Sequence, residues 1–283
     1  MYITNKPWVA KIAEEAGVDW IFIDMEWIGK DVRQGGLDTV QNHHTFEDVR
    51  TIKNAVSKAK VLTRINPIHP SINSGQVHGV AGYPDSKEEI DRTIEAGADI
   101  LMLPFFKTVA EVEQFVGYVG GRAKTCLLVE TPEAALLIDE ILELKGIDMI
   151  HLGLNDLHLA LGMKFMFELL ADGTVDRLSA KIKAKGIPFG FGGIATLTGG
   201  AMPGSMVLKE HVRLGSSMVI VSRSFCNTDL ITDQDEVRKI FNEGIADIRK
   251  LEKEAEDAAS YFSRNRNAVK DSVKEIVNNK MQI

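Results

Sequence analysis

Cysteine is nearly missing from this chain: Cys126 and Cys226 are the two in 283 residues, each inside an apolar run. That scarcity argues against a disulfide framework and for buried free thiols in a reducing cytosol. Excess positive charge is missing too. The formal net charge is −7, which does not favour non-specific attraction to nucleic acid or to an anionic membrane. No apolar run approaches the roughly 20 residues of a membrane span. Lys6 interrupts the first apolar stretch, so the N-terminus has no signal-peptide pattern. The expectation is a cytoplasmic protein with neither nucleic acid nor membrane as partner. A Gly-x-Gly-x-x-Gly fingerprint after the first strand is also lacking, which weakens the case for a doubly wound dinucleotide fold.

What is present is apolar sequence, 45% of the chain, ample for one large core. It comes as short runs separated by helix signals. Met1–Thr4, Trp20–Glu26, Lys60–Asn66, Asp99–Leu103, Cys126–Glu130, Met149–Leu152, Pro188–Gly193 and Met218–Ser222 read as strands. Runs such as Trp20-Ile21-Phe22-Ile23 are continuous, as in strands buried on both faces. Between them lie helix starts: Asn5 with Pro7, Thr45 with Asp48, Ser86 with Glu89, and Thr131 with Pro132. Glu15-Ala16-Gly17-Val18-Asp19 and Glu95-Ala96-Gly97-Ala98-Asp99 end two helices alike, with Gly at the C′ position. Eight strands alternating with helices over this length predict a (β/α)8 barrel across residues 1–232. From Asp233 the pattern changes to a charged helical segment, 233–283, with apolar residues at three-and-four spacing and a polar break at Ser263–Asn267. It reads as a final barrel helix with a solvated outer face or, alternatively, as a helix long enough to reach a neighbouring subunit, and a homo-oligomer is expected.

In a barrel, the residues that end the strands face the site. Here those are Asp24, Glu26, Arg64, Glu130, Asp156, Gly192, Gly193 and Arg223. One such acid alone is commonly a cap or an ion pair. Glu130 and Asp156 are different, because they close adjacent strands in mirrored positions, Asp156 through a short Gly153–Asn155 turn. Such a pair suits a hard divalent cation, Mg²⁺ or Mn²⁺ or alternatively Co²⁺, which keeps open positions for water and substrate oxygens. A 2-oxo acid such as pyruvate can chelate such an ion, which then stabilises an enolate as a Lewis acid. Arg64 is the candidate to offset the developing charge, and a structural ion pair with Asp24 or Glu26 is its plainer role. Gly192, Gly193 and Arg223 form a candidate site for a second carboxylate or phosphate, and tight turns are the plainer use of those glycines. The loop Ile68–Ser86 is a candidate lid.

Ile23-Asp24-Met25-Glu26, Arg64, Leu128-Val129-Glu130-Thr131-Pro132-Glu133-Ala134 and Gly153-Leu154-Asn155-Asp156-Leu157 resemble, in order, the HpcH/HpaI aldolase and citrate lyase beta-subunit family. The resemblance spans roughly residues 1–225. It implies a (β/α)8 barrel, metal-dependent aldol cleavage or condensation with pyruvate or a related enolate, Glu130 and Asp156 as metal ligands, and Arg64 as the substrate arginine. It also implies oligomers that pack or exchange the last helix. One position departs. Pyruvate aldolases of this family carry histidine directly after Asp-x-Glu, and this chain has Trp27. Trp cannot act as a general base, though it could wall a larger substrate. His158 is the candidate substitute, with His44, His69 and His78 behind it. A citrate-lyase-like or CoA- or phosphoenolpyruvate-linked condensation stays open, as does a metabolite-binding relative without catalysis.

Overall fold

The structure is a computed structural model that describes residues 1–30, 42–71, 84–256 and 259–280. Eight parallel strands close into a barrel in chain order: β1 (Tyr2–Ile3), β2 (Trp20–Asp24), β3 (Lys60–Arg64), β4 (Ile100–Leu103), β5 (Lys124–Val129), β6 (Met149–Leu152), β7 (Phe189–Ile194) and β8 (Met218–Val221). All eight expected strands are there, and β1 pairs with β8 through Tyr2 and Val221 to complete the circle. Closure leaves no free sheet edge.

The apolar runs are continuous because each strand is buried on both faces. Phe22, Leu62, Ile100, Met102, Cys126, Leu128 and Met149 pack inside the barrel. Alternate residues such as Ile21, Ile23, Val61, Leu101, Leu127 and Ile150 pack outward against the helices. Both cysteines are buried and free.

Among the described residues, the helices between strands are α1 (Pro7–Glu15), α2 (Phe46–Ala55), α3 (Ser86–Glu95), α4 (Val109–Val119), α5 (Pro132–Leu136), α6 (Ile138–Ile141), α7 (Leu154–Ala160), α8 (Glu168–Ala171), α9 (Thr174–Ala184) and α10 (Gly204–Leu214). Thr45 and Asp48 form the expected reciprocal cap on α2. Thr131 caps α5, accepting from the Ala134 amide at 3.1 Å.

Two expected caps are not formed. Asp85, not Ser86, caps α3, accepting from Glu88 N–H at 2.9 Å. Glu89 turns inward instead, where its Oε1 accepts from the backbone and side-chain amides of Asn66 at 3.0 and 2.9 Å. Asn5 does not cap α1 either: Lys6 holds the N-cap position, and Asn5 Nδ2 donates to Asp48 Oδ1 at 3.1 Å. In both cases a buried or tertiary partner outcompetes the local one. Within the turn expected over Gly153–Asn155 the helix already starts at Leu154, so Asp156 lies in the first turn of α7.

The tail forms α11 (Gln234–Glu256) and α12 (Phe262–Lys280). α11 lies against α1 and α10 and completes the ring of helices. α12 folds back onto α8 and α10 of its own chain. The chain breaks at the 3₁₀ turn Ala259–Tyr261, ahead of the polar segment Ser263–Asn267, which is helical. That segment stays helical because its polar groups find partners. Asn265 Nδ2, buried, donates to Glu210 Oε1 at 2.7 Å and to the Met206 carbonyl at 3.0 Å.

Candidate active site

The carboxyl ends of β2 and β3 build one ionic unit. Residues Asp24 and Arg64 are paired in register. The guanidinium of Arg64 grips Asp24 with two parallel bonds, Nε to Oδ1 and Nη2 to Oδ2, each 2.8 Å. Lys30 Nζ adds a third contact, 2.6 Å from Asp24 Oδ2, and Asn42 Nδ2 donates to the same oxygen at 3.2 Å. Glu26, just beyond the end of β2 and fully buried, brings Oε2 to 3.4 Å from Arg64 Nη1. Burial pushes the Asp24 carboxyl up, but Arg64 first and Lys30 after it hold it well below the usual carboxylate range. Burial works against the charge on Arg64, yet Asp24 and Glu26 keep its pKa well above the ordinary value. For Lys30, burial and then Arg64 lower the pKa against the pull of Asp24 and Glu26. Arg64 is therefore a fixed, permanent cation held in a planar fork.

Glu130 follows β5 and Asp156 sits on α7, and both line the same pocket as Arg64. Side chains alternate along a strand. The pairing of Leu128 with His151 and of Val129 with Leu152 therefore places Glu130 level with Gly153, both facing inward. Gly153 is needed there: a Cβ on it would lie 2.6 Å from Glu130 Cβ and 2.8 Å from Glu130 Oε2. The carboxylate is further held by the Phe105 amide, which donates to Oε1 at 3.0 Å. Phe105 has φ +48°, the one positive value outside glycine among the described residues. Such a conformation is sparsely populated and tends to occur where a backbone group is being aimed.

Two carboxylates facing one pocket is a donor set that fits Mg²⁺ or Mn²⁺, which keep several waters and take one or two protein carboxylates. Among the described residues, no group of three or more His, Cys, Asp or Glu converges as a structural zinc site would require.

The remaining candidates are dispersed. Gly192 and Gly193 line the pocket. Arg223 does not belong to that lining; β8 ends at Val221, and the 3₁₀ turn over Arg223–Phe225 carries the guanidinium to Asn42 Oδ1 at 2.7 Å. Trp27 is not in the lining either. Its ring lies 3.9 Å from that of His43, and its amide donates to Asn66 Oδ1 at 2.8 Å. His158 is buried on α7 and donates from Nδ1 to the Leu154 carbonyl at 3.1 Å, one helical turn back and outside the pocket lining. His44 Nδ1 accepts from the Asp24 amide at 3.0 Å, and burial lowers its pKa. His69 Nε2 lies 3.1 Å from Glu89 Oε2; burial lowers its pKa, but Glu89 and the Pro70 carbonyl outweigh that and raise it. His78 and the centre of the Ile68–Ser86 loop lie outside the described residues.

Sequence reasoning missed three residues. Lys30 carries no motif, and only the fold brings it to Asp24. Gly153 reads as a turn glycine. His151 was readable, because it is the one polar residue in the β6 run and shares inward parity with Gly153. It lines the pocket, and its Nε2 donates to the Gly192 carbonyl at 3.0 Å. Burial lowers its pKa to about 4, so the ring is neutral.

The sequence profile of the HpcH/HpaI aldolase/citrate lyase family matches residues 2–187. No curated protein matches the chain in sequence. Among solved structures, an HpcH/HpaI aldolase from Desulfitobacterium hafniense DCB-2 is similar at TM-score 0.58 and 17% identity, over 86% of this chain and 92% of that one. An HpcH/HpaI aldolase/citrate lyase family protein from Burkholderia cenocepacia J2315 gives 0.59 and 16%, over 84% and 94%. The citrate synthase SbnG gives 0.59 and 15%, over 84% and 92%. At these identities the likeness is one of fold.

Proposed function

The chain belongs to the HpcH/HpaI aldolase/citrate lyase family, and we propose that it is a divalent-metal-dependent carbon–carbon lyase acting on a 2-oxo acid such as pyruvate. The observation that supports this reading is that Glu130, Asp156 and Arg64 line a single pocket. Glu130 and Asp156 would hold Mg²⁺ or Mn²⁺, whose part is to polarise the keto and carboxylate oxygens of the 2-oxo acid. Arg64 would face the oxygen on which negative charge grows. Its fork is already oriented by Asp24, so little reorganisation accompanies the reaction. Glu26 and Asp24 keep that fork charged and in place.

In the cleavage direction the substrate is a 4-hydroxy-2-oxo acid. The C4 hydroxyl gives up its proton, the C3–C4 bond breaks, and its electron pair passes into the enolate of the 2-oxo acid. C3 then takes up a proton, so the products are an aldehyde and the 2-oxo acid. His151, neutral and fixed on Gly192, shapes the floor of the site without carrying charge.

A second reading, a metabolite-binding protein without turnover, is favoured by one observation: neither Trp27 nor His158 belongs to the pocket lining. Exchange of the pyruvate methyl protons with deuterated solvent separates the two, followed by proton NMR with Mg²⁺ present. Exchange that stops with EDTA and in Glu130→Ala is expected for the lyase. Failure of every 2-oxo acid tried to exchange would leave the binding protein.

A further inference from the structure

The pocket that holds Arg64, Glu130 and Asp156 continues past them. Its volume is about 440 Å³, within the range of sites that enclose a small molecule. Besides those three, its lining includes Phe165, Phe167, Met202, Val207 and Ile220, with Ser222 and Ser224 as hydroxyl-bearing neighbours. Phe165 and Phe167 meet edge to face at 5.3 Å, so that wall is fixed. Among the described residues lining the pocket, Arg64 is the one lysine or arginine, and Asp24 already occupies two of its nitrogens. Arg223, which follows β8, turns to Asn42 instead. A second carboxylate or a phosphate against these apolar side chains would lose water without meeting a lysine or arginine of the lining other than Arg64, an unfavourable placement. A hydrocarbon group there would leave water for apolar walls.

We propose that the extension between Phe167 and Val207 receives an uncharged aliphatic or aryl tail on the substrate, so that the aldehyde or acyl partner is apolar and not a phosphate ester or second carboxylate. This rests on the reading of Arg64, Glu130 and Asp156 as the 2-oxo-acid end, and it sets aside the expected anion site at Gly192, Gly193 and Arg223.

Calorimetric titration of the whole protein in MgCl₂ with 2-oxohexanoate and with 2-oxoglutarate tests it. The two ligands share the 2-oxo-acid head and differ in a methyl-ended or carboxylate-ended tail. The expected result is binding of 2-oxohexanoate about tenfold or more tighter, with about a fourfold gain per methylene along the series from pyruvate. Equal affinities, tighter 2-oxoglutarate, or binding of neither overturns the proposal. Ala201→Arg, an exposed position at the rim, should reduce or reverse the preference, and an unchanged preference places the tail elsewhere and overturns the assignment. Methyl exchange of pyruvate is read on the same samples. Lost exchange with a retained preference sinks the lyase reading alone, and retained exchange with a preference for 2-oxoglutarate sinks the tail pocket alone.

Discussion

Glu130 keeps its place because its neighbour has no side chain. Gly153 has φ −83°, which any residue can adopt, so its role is clearance and not backbone freedom. The Gly153→Ala substitution puts a Cβ into the Glu130 carboxylate. The carboxylate must then leave the Phe105 amide or the strand must shift. Mn²⁺ affinity, read by calorimetry, should fall about 10- to 100-fold, in line with the loss of a group that orients a ligand. Stability should fall by about 1–3 kcal/mol from overpacking. Unchanged Mn²⁺ binding in a folded Gly153→Ala protein would remove Glu130 from the ligand set. At this scale the sequence pointed to one end of the barrel, and Arg64, Glu130 and Asp156 line one pocket there, with Asp24 paired to Arg64. It was silent on Lys30, which reaches Asp24 only because the chain turns back after β2 over six residues without a motif to mark it. Trp27 and His158, each next to an acidic motif, stand outside the pocket lining, since adjacency in sequence does not decide which way a side chain turns.

Elements were more legible than residues. A doubly buried strand needs a continuous apolar run, and each of the eight runs became one. Helix ends were less legible because caps compete with tertiary partners. Glu89 serves Asn66 and Asn5 serves Asp48, and neither choice shows in local spacing. The tail is the clearest case. Ser263–Asn267 looks like a break, yet Asn265 docks α12 onto α10 through Glu210 and the Met206 carbonyl. Glu210 is nearly fully buried, so losing the Asn265 amide leaves a desolvated acceptor with fewer donors, Arg213 among those that stay. Asn265→Ala should destabilise the protein by about 1–3 kcal/mol, seen as a lower urea midpoint. Amide exchange in α10, residues 204–214, should speed up as well. Because Gly204 and Val207 of α10 line the pocket, the variant should also weaken 2-oxohexanoate binding. Unaltered α10 exchange would mean that α12 merely rests on the barrel.

At the scale of the whole molecule, the barrel buries titratable groups in two opposite states, and this sets its response to acid. His151 and His211 are held neutral: burial lowers them to about 4 and about 3. An unfolded histidine titrates near 6.5. Between that value and the folded ones the unfolded chain binds more protons, so the histidine contribution is full above about pH 6.5 and declines as pH falls. Asp24 is held ionised, with its folded pKa far below the unfolded value near 3.9. Its contribution is therefore intact above about pH 4 and fades only at more acid pH. Burial also lowers the Met1 amino group from 8.0 to about 6, so urea unfolding from pH 8 downward should show stability falling from the start, falling further below about pH 6.5 as the histidine contribution fades, and again below about pH 4. In Asp24→Asn, Arg64 and Lys30 lose their shared counter-charge. That variant should be less stable by about 3–5 kcal/mol at pH 7, and the gap from the parent should narrow as pH drops below about 4. The gap would instead stay constant through that range if Asp24 were protonated in the native protein, and the ion pair assigned to Asp24 and Arg64 would be lost with it.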